Sequence, residues 1–259
     1  MILILASLLA AAGPADPRTP QARFDACVKE SDSNPQGAEK MAAAWAGQGG
    51  GVLAAQCLGI ARSAKGEWQG AVDAFTAGAS LAEQTHDARA STLWTSAGNA
   101  ALAAGDAAGA RAAFDKAMAA PGFEGPVKGE ALLDRARAEV ALNDDASARA
   151  DIDVALPLIQ ADPMAWLLSA TLARRMGDMT RAAADIKEAA LRAPDEAAVL
   201  YEAGNIAAAQ GHIGDARAQW ARAKAADPRS AAGQAAAREL DDTGAQAGDA
   251  KRSPAPQGR

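Results

Sequence analysis

A pattern of small and large residues recurs five times along the middle of this chain, and no other feature limits its fold as strongly. One copy reads GDAAGARAAFDKA at 105–117. GDMTRAAADIKEA at 177–189 and GHIGDARAQWARA at 211–223 repeat it. GEWQGAVDAFTAG at 66–78 ends on Gly78 in place of alanine, and NDDASARADIDVA at 143–155 opens on Asn143 in place of glycine. Seven residues before each turn lies a small residue: Gly59, Gly98, Ala136, Ala170 and Gly204. Four before that lies Ala55, Trp94, Leu132, Trp166 or Leu200, and Pro194 and Pro228 close the last two copies. The period is near 34 residues. A repeat of that length is one supersecondary unit that cannot bury its apolar face alone, so neighbours must stack.

Composition says which unit. The chain is 49% hydrophobic but only 4% aromatic, and alanine dominates. Alanine has the best helix propensity and almost no side-chain entropy to lose. The β-branched and aromatic residues that strands favour are scarce. A β fold is excluded and each unit reads as two helices. A net charge of −6 and a pI near 5.0 argue against a general nucleic-acid binder, which needs a basic surface. Beyond the N-terminus no apolar run is long enough to span a membrane.

The pattern W-x3-[GA]-x6-G-x4-A-x3-[FWI]-x2-A with a later proline resembles the tetratricopeptide repeat family. The resemblance covers units at 52–85, 91–124, 129–162, 163–196 and 197–230. It implies an all-α fold, a tetratricopeptide-type α-solenoid in which antiparallel helix pairs form a right-handed superhelix. Loops at Gln84–Ala90 and Pro126–Gly129 absorb the longer first spacings. Gly105 is expected to end its helix in the left-handed region, with Asn143 as the substitute there, and Asp106 and Asp178 to cap the helices that follow. Trp94, Trp166 and Trp220 fall at packing positions, and Trp68 is expected to make a hairpin contact. The resemblance also implies a concave groove lined by the first helix of each unit. The groove positions are Thr92, Thr95, Asn99, Glu130, Arg137, Thr171, Arg174, Tyr201 and Asn205, with Leu133, Met164 and Leu167 adding apolar area. Thr95, Asn99, Arg137, Thr171, Arg174, Tyr201 and Asn205 are the candidate partner contacts. A subclass of the family grips a C-terminal carboxylate with lysine and asparagine. Here Asn99 fits the asparagine position, but Thr95 replaces the lysine and Glu130 and Asp134 follow, so that clamp is absent at this pair of units.

The two ends read differently. MILILASLLAAA followed by GPADP resembles a secretory signal, with cleavage after Ala12 or Ala15, and residues 1–15 are assigned to it. Residues 20–51 form a degenerate capping hairpin: QARFDACVKES as one helix and a second opened by Asn34-Pro35. Residues 231–242 form a C-terminal capping helix, and 243–259, rich in Gly, Pro and small polar residues, an unstructured tail. Cys27 and Cys57 are the only cysteines. An even count in an exported chain suggests one disulfide. In the register of the repeat the two face one another across neighbouring helices. The alternative is two buried thiols.

Catalytic signatures are missing. His86 and His212 lie at turns without a partner in register, and the sequence holds no H-E-x-x-H, G-x-S-x-G or phosphate-loop motif. GQGGG at 47–51 follows a helix and lacks the Lys-Ser/Thr of a phosphate loop. No enzymatic activity, cofactor or metal is expected. The reading is a non-catalytic scaffold binding a protein or peptide in its groove within a cell-envelope assembly, exported to the periplasm. Its alternatives are a cytoplasmic adaptor with free thiols, an inner-membrane protein held by an uncleaved N-terminal segment, and a binder of envelope polysaccharide or peptidoglycan.

Overall fold

The computed structural model describes residues 19–252, with side chains to 244, so the expected signal at 1–15 and the last seven residues of the expected tail lie outside the described residues. The described residues form thirteen helices and no strands. They divide into two compact units, the first ending at Phe123 and the second beginning at Glu124.

The first unit holds α1 (Pro20–Ser33), α2 (Pro35–Gly47), α3 (Gly51–Ala64), α4 (Trp68–Gln84), α5 (Ala90–Ala103) and α6 (Ala107–Ala119). Each helix packs on the next, and α1 also packs on α3. The second unit holds α7 (Gly125–Ala141), α8 (Asp145–Ala155), α9 (Pro163–Arg175), α10 (Met179–Arg192), α11 (Ala197–Ala209), α12 (Ile213–Ala226) and α13 (Ala231–Arg252). Here α9 touches α11, and α13 covers both α11 and α12.

Turn chemistry sets the helix pairs. Gly105 has φ +80°, and Asn143, at the equivalent turn, has φ 62°. Asparagine tolerates this region because its short polar side chain bonds locally. The carboxylates of Asp106, Asp144 and Asp178 each accept the backbone N–H three residues on, at 2.8, 3.2 and 3.0 Å. The chain therefore leaves one helix, turns and starts the next within about three residues.

Inside each repeat the small residue meets the large one sixteen positions later. A Cβ added to Gly59 would lie 2.4 Å from the Phe75 ring, and one added to Gly204 would lie 2.4 Å from the Trp220 indole. At Gly98 the ring of Phe114 is 2.7 Å from the same point. Where the large residue is isoleucine the small one is alanine: Ala170 packs with Ile186 in one buried cluster, and Ala136 and Ile152 occupy the matching positions, both fully buried. The helices thus approach to a distance set by the summed volume of the two residues.

Two expectations are corrected. The loop at Pro126–Gly129 is the first turn of α7, because proline with its fixed φ suits a helix start. The extra residues form the turn at 120–124 instead. Residues 243–252, expected in the tail, continue α13, for no proline interrupts the chain before Pro254. Arg217 on α12 fastens this extension by donating to the Leu240 carbonyl at 3.1 Å and to the Thr243 hydroxyl. Trp68 is 38% exposed at the first position of α4. Trp94 and Trp220 are buried, whereas Trp166 is half-buried beneath the Arg192 guanidinium, 5.0 Å above its ring.

Cys27 on α1 and Cys57 on α3 are both fully buried and joined, with Cα atoms 6.1 Å apart. Around them the packing is mostly alanine, Ala38, Ala42 and Ala61, with Phe24 and Leu58 at the edge. A second tie, between α2 and the end of α3, is electrostatic. Glu39 accepts from Lys65 Nζ at 2.5 Å and from Arg62 Nε at 3.1 Å. The Lys65 hydrogen bond, then that of Arg62, holds the Glu39 carboxyl below the ordinary glutamate range. A depressed folded-state value means the stabilisation is present above the unfolded pKa and vanishes as pH falls through the folded one. Glu39→Gln is therefore expected to weaken the first unit at pH 7, by no more than about 1 kcal/mol once solvent screening at this half-buried surface site is counted. Urea unfolding should give equal stabilities for the two proteins once the pH is low enough to protonate this carboxyl in the folded state, and a gap that persists there would show that shape and not charge carries the effect.

Candidate functional site

Of the seven predicted contacts, Thr95 and Asn99 sit on α5 in the first unit, and the other five belong to the second. Asn99 is exposed, and Thr95 is half-buried with its hydroxyl donating to the Ser91 carbonyl at 3.0 Å. Arg137 on α7 is exposed and paired with Asp134 on the same helix.

The remaining four come together where α9 meets α11. The positions one, four, eight and eleven residues into α9 after Pro163 are Met164, Leu167, Thr171 and Arg174. Those on α11 after Ala197 are Ala198, Tyr201, Asn205 and Ala208. All eight are half-buried, as a shared strip between two touching helices requires. Met164 and Leu167 rest on the cluster around Ala170 and Val199. Tyr201 rests on the cluster of Leu200 and Trp220.

The polar members of the strip are committed to one another. Arg174 donates from Nε to one oxygen of Glu202 at 2.6 Å and from Nη2 to the other at 3.2 Å. Asn205 donates to the same carboxylate at 3.1 Å, and its own oxygen accepts the Trp220 indole N–H at 3.1 Å. Glu202 is 5% exposed, so this buried carboxylate depends on its two donors. The Glu202 hydrogen bond raises the Arg174 pKa against the opposing effect of desolvation. The Thr171 hydroxyl donates to the Leu167 carbonyl at 2.9 Å. Among the described residues the Tyr201 hydroxyl makes no hydrogen bond, leaving it the open polar group at the centre of a neutral strip. Arg174 and Tyr201 are both candidate partner contacts by register. In the structure the Arg174 guanidinium is turned to Glu202, a residue outside the groove register that spacing alone did not single out.

A different feature has no counterpart in the sequence reading. A cleft of about 460 Å³ opens in the first unit where the ends of α4 and α6 face the start of α5, lined among others by Glu83, His86, Asp87, Ser91, Lys116 and Pro121. His86 holds φ 54° at its rim. Among the described residues no group of three or more His, Cys, Asp or Glu side chains is placed to hold a metal ion, and no helix is long and apolar enough to cross a membrane.

No protein-family model matches the chain, and neither does any curated protein sequence. Solved structures do. PilW, described as a widely conserved type IV pilus biogenesis factor, is 18% identical with a TM-score of 0.70, over 84% of this chain and 98% of its own. Pseudomonas aeruginosa pilF is 15% identical with a TM-score of 0.67, over 85% and 99%. YrrB, described as a TPR protein with an unusual peptide-binding site, is 20% identical with a TM-score of 0.55, over 72% and 92%. At these identities the likeness is one of fold.

Proposed function

We propose that this chain, whose all-α fold is that of the tetratricopeptide repeat proteins, is a non-catalytic interaction scaffold that takes a peptide or protein segment on the α9–α11 strip within a cell-envelope assembly. The observation that carries this is the strip itself. Its eight half-buried positions offer apolar area from Met164, Leu167 and Tyr201, while the Arg174–Glu202–Asn205 network holds the backbone of the two helices in fixed register. A rigid, largely neutral surface with one aromatic anchor suits a bound segment at small ordering cost. The envelope setting is supported by the apolar N-terminal sequence, the bridged cysteines and the fold shared with a type IV pilus biogenesis factor.

The test uses a photo-crosslinking residue placed at Ala198 or Ala208 in the native host. Covalent adducts are expected from both positions and not from Lys187, an exposed residue of α10. Tyr201→Ala should reduce partner recovery by about tenfold or more while far-UV dichroism stays unchanged. Equal crosslinking from Lys187, or full recovery with Tyr201→Ala, overturns the reading. Arg174→Ala is unsuited to this test, since it strands the Glu202 carboxylate and destabilises the fold. Intact mass of the protein from its own host addresses export: loss of the first 12 to 15 residues is expected.

A further inference from the structure

We propose that the cleft between α4, α5 and α6 is a cation site for a lysine or arginine side chain of a partner polypeptide, and that Lys116 on its wall holds the cation position over Trp94 in the isolated protein. This site lies in the first unit and does not depend on the α9–α11 strip.

The first observation is that two residues of the cleft wall, Lys116 and Glu83, both touch the buried Trp94. The Lys116 ammonium sits 4.0 Å above the centroid of the Trp94 ring. That ring is 3% exposed, and its indole N–H donates to Glu83 Oε1 at 2.7 Å. A carboxylate accepting the N–H pushes electron density into the ring, which strengthens its hold on a cation over the face. The structure thus shows an ammonium bound at this spot, supplied by the chain itself.

The second observation is that this ammonium is held by nothing else. Lys116 is exposed and, among the described residues, forms no ion pair. Glu83 touches the other edge of the same indole and likewise forms no ion pair, and its Oε2 is open. The two opposite charges share Trp94 without meeting. Asp87 differs, since Arg89 forks its carboxylate at 2.7 and 2.9 Å. Glu83 is therefore the open carboxylate of the cleft.

The third is the surrounding field. The lining includes residues from the last turns of α4 and α6, and the C-terminal end of a helix carries partial negative charge that favours a cation. The Ser91 hydroxyl and His86 ring add acceptors at the rim, and Ala82, Ala119 and Ala120 give the aliphatic wall along which a long basic side chain lies. The volume of about 460 Å³, open with Lys116 in place, admits such a side chain, whose cation reaches the Trp94 face once the Lys116 ammonium moves aside. The net charge of −6 draws basic partners at long range.

If Lys116 is a resident competitor, removing its charge must strengthen binding. The full chain is titrated with Nα-acetyl-arginine amide and, as a bare cation, tetramethylammonium, following the Trp indole N–H signals by NMR. Lys116→Met removes the resident ammonium while leaving a flexible side chain that a probe can displace from Trp94, and it is expected to bind both probes at least about fivefold more tightly than the native protein, the size of gain that loss of a competing cation allows. Adding Glu83→Gln should abolish most of that gain for the arginine probe. Unchanged far-UV dichroism shows that both variants fold. The proposal is overturned if Lys116→Met binds no more tightly than the native chain. It is overturned equally if the native chain prefers Nα-acetyl-glutamate amide, which would make Lys116 a receptor for anions.

Discussion

Phe114→Ala is expected to remove about 3–5 kcal/mol from the stability of the first unit. The ring is fully buried on α6 and lies against Gly98 on α5. Truncation loses the transfer energy of the ring and leaves a cavity. The cavity cannot be filled from the opposite wall, because glycine has no side chain to move into it, so the cost falls toward the upper end of that range. Whole domains are stable by only about 5–15 kcal/mol. In a stacked array each unit also depends on its neighbours. Urea unfolding should show the loss, and hydrogen exchange should place it first in α5 and α6. A loss under about 1 kcal/mol would mean the two helices close over the gap, contrary to the role given to this pair.

Removing the bridge by Cys27→Ala with Cys57→Ala is expected to cost about 3–4 kcal/mol. The sequence separation of 30 sets that figure through the entropy of the closed loop. The packing it reinforces is weak, since alanines bury little area apiece. The expected result is uneven. Amides of α1 and α2 should exchange freely while those of α5 and α6 keep their protection. Reductant added to the folded protein should act slowly, because both cysteines are fully buried. Retained protection throughout α1 and α2 in the double variant would show that the alanine contacts and the Glu39 ties suffice.

The repeat pattern carried the helices because its glycines, caps and small-large spacings are local and chemical. Gly105 and Asn143 needed the left-handed region, and both occupy it. The ends of α7 and α13 were missed for a related reason. Pro126 reads equally as a loop breaker or a first helical residue, and TGAQAGDAKR has no strong preference until Arg217 docks on Leu240 and Thr243. At the strip, register gave positions but not partners. Arg174 and Asn205 were placed on the correct helices, yet the carboxylate that binds both is Glu202, one residue past Tyr201. An acidic residue on a helix the repeat buries, between Leu200 and Ala203, was the available signal. The cleft around Lys116 was illegible because it is made by three helix ends, and periodicity describes helix faces.

The sixteen-residue pairing of small and large has a consequence for how such a chain can change over time. Glycine opposite a ring and alanine opposite isoleucine are two states of one character, written at two places in the sequence. A lone change at either place produces a clash or a hole, so neutral drift between the states is blocked unless both positions move nearly together. Whole repeats can be duplicated, shuffled or grafted as blocks without meeting that barrier, which biases the lineage toward copying units over editing them.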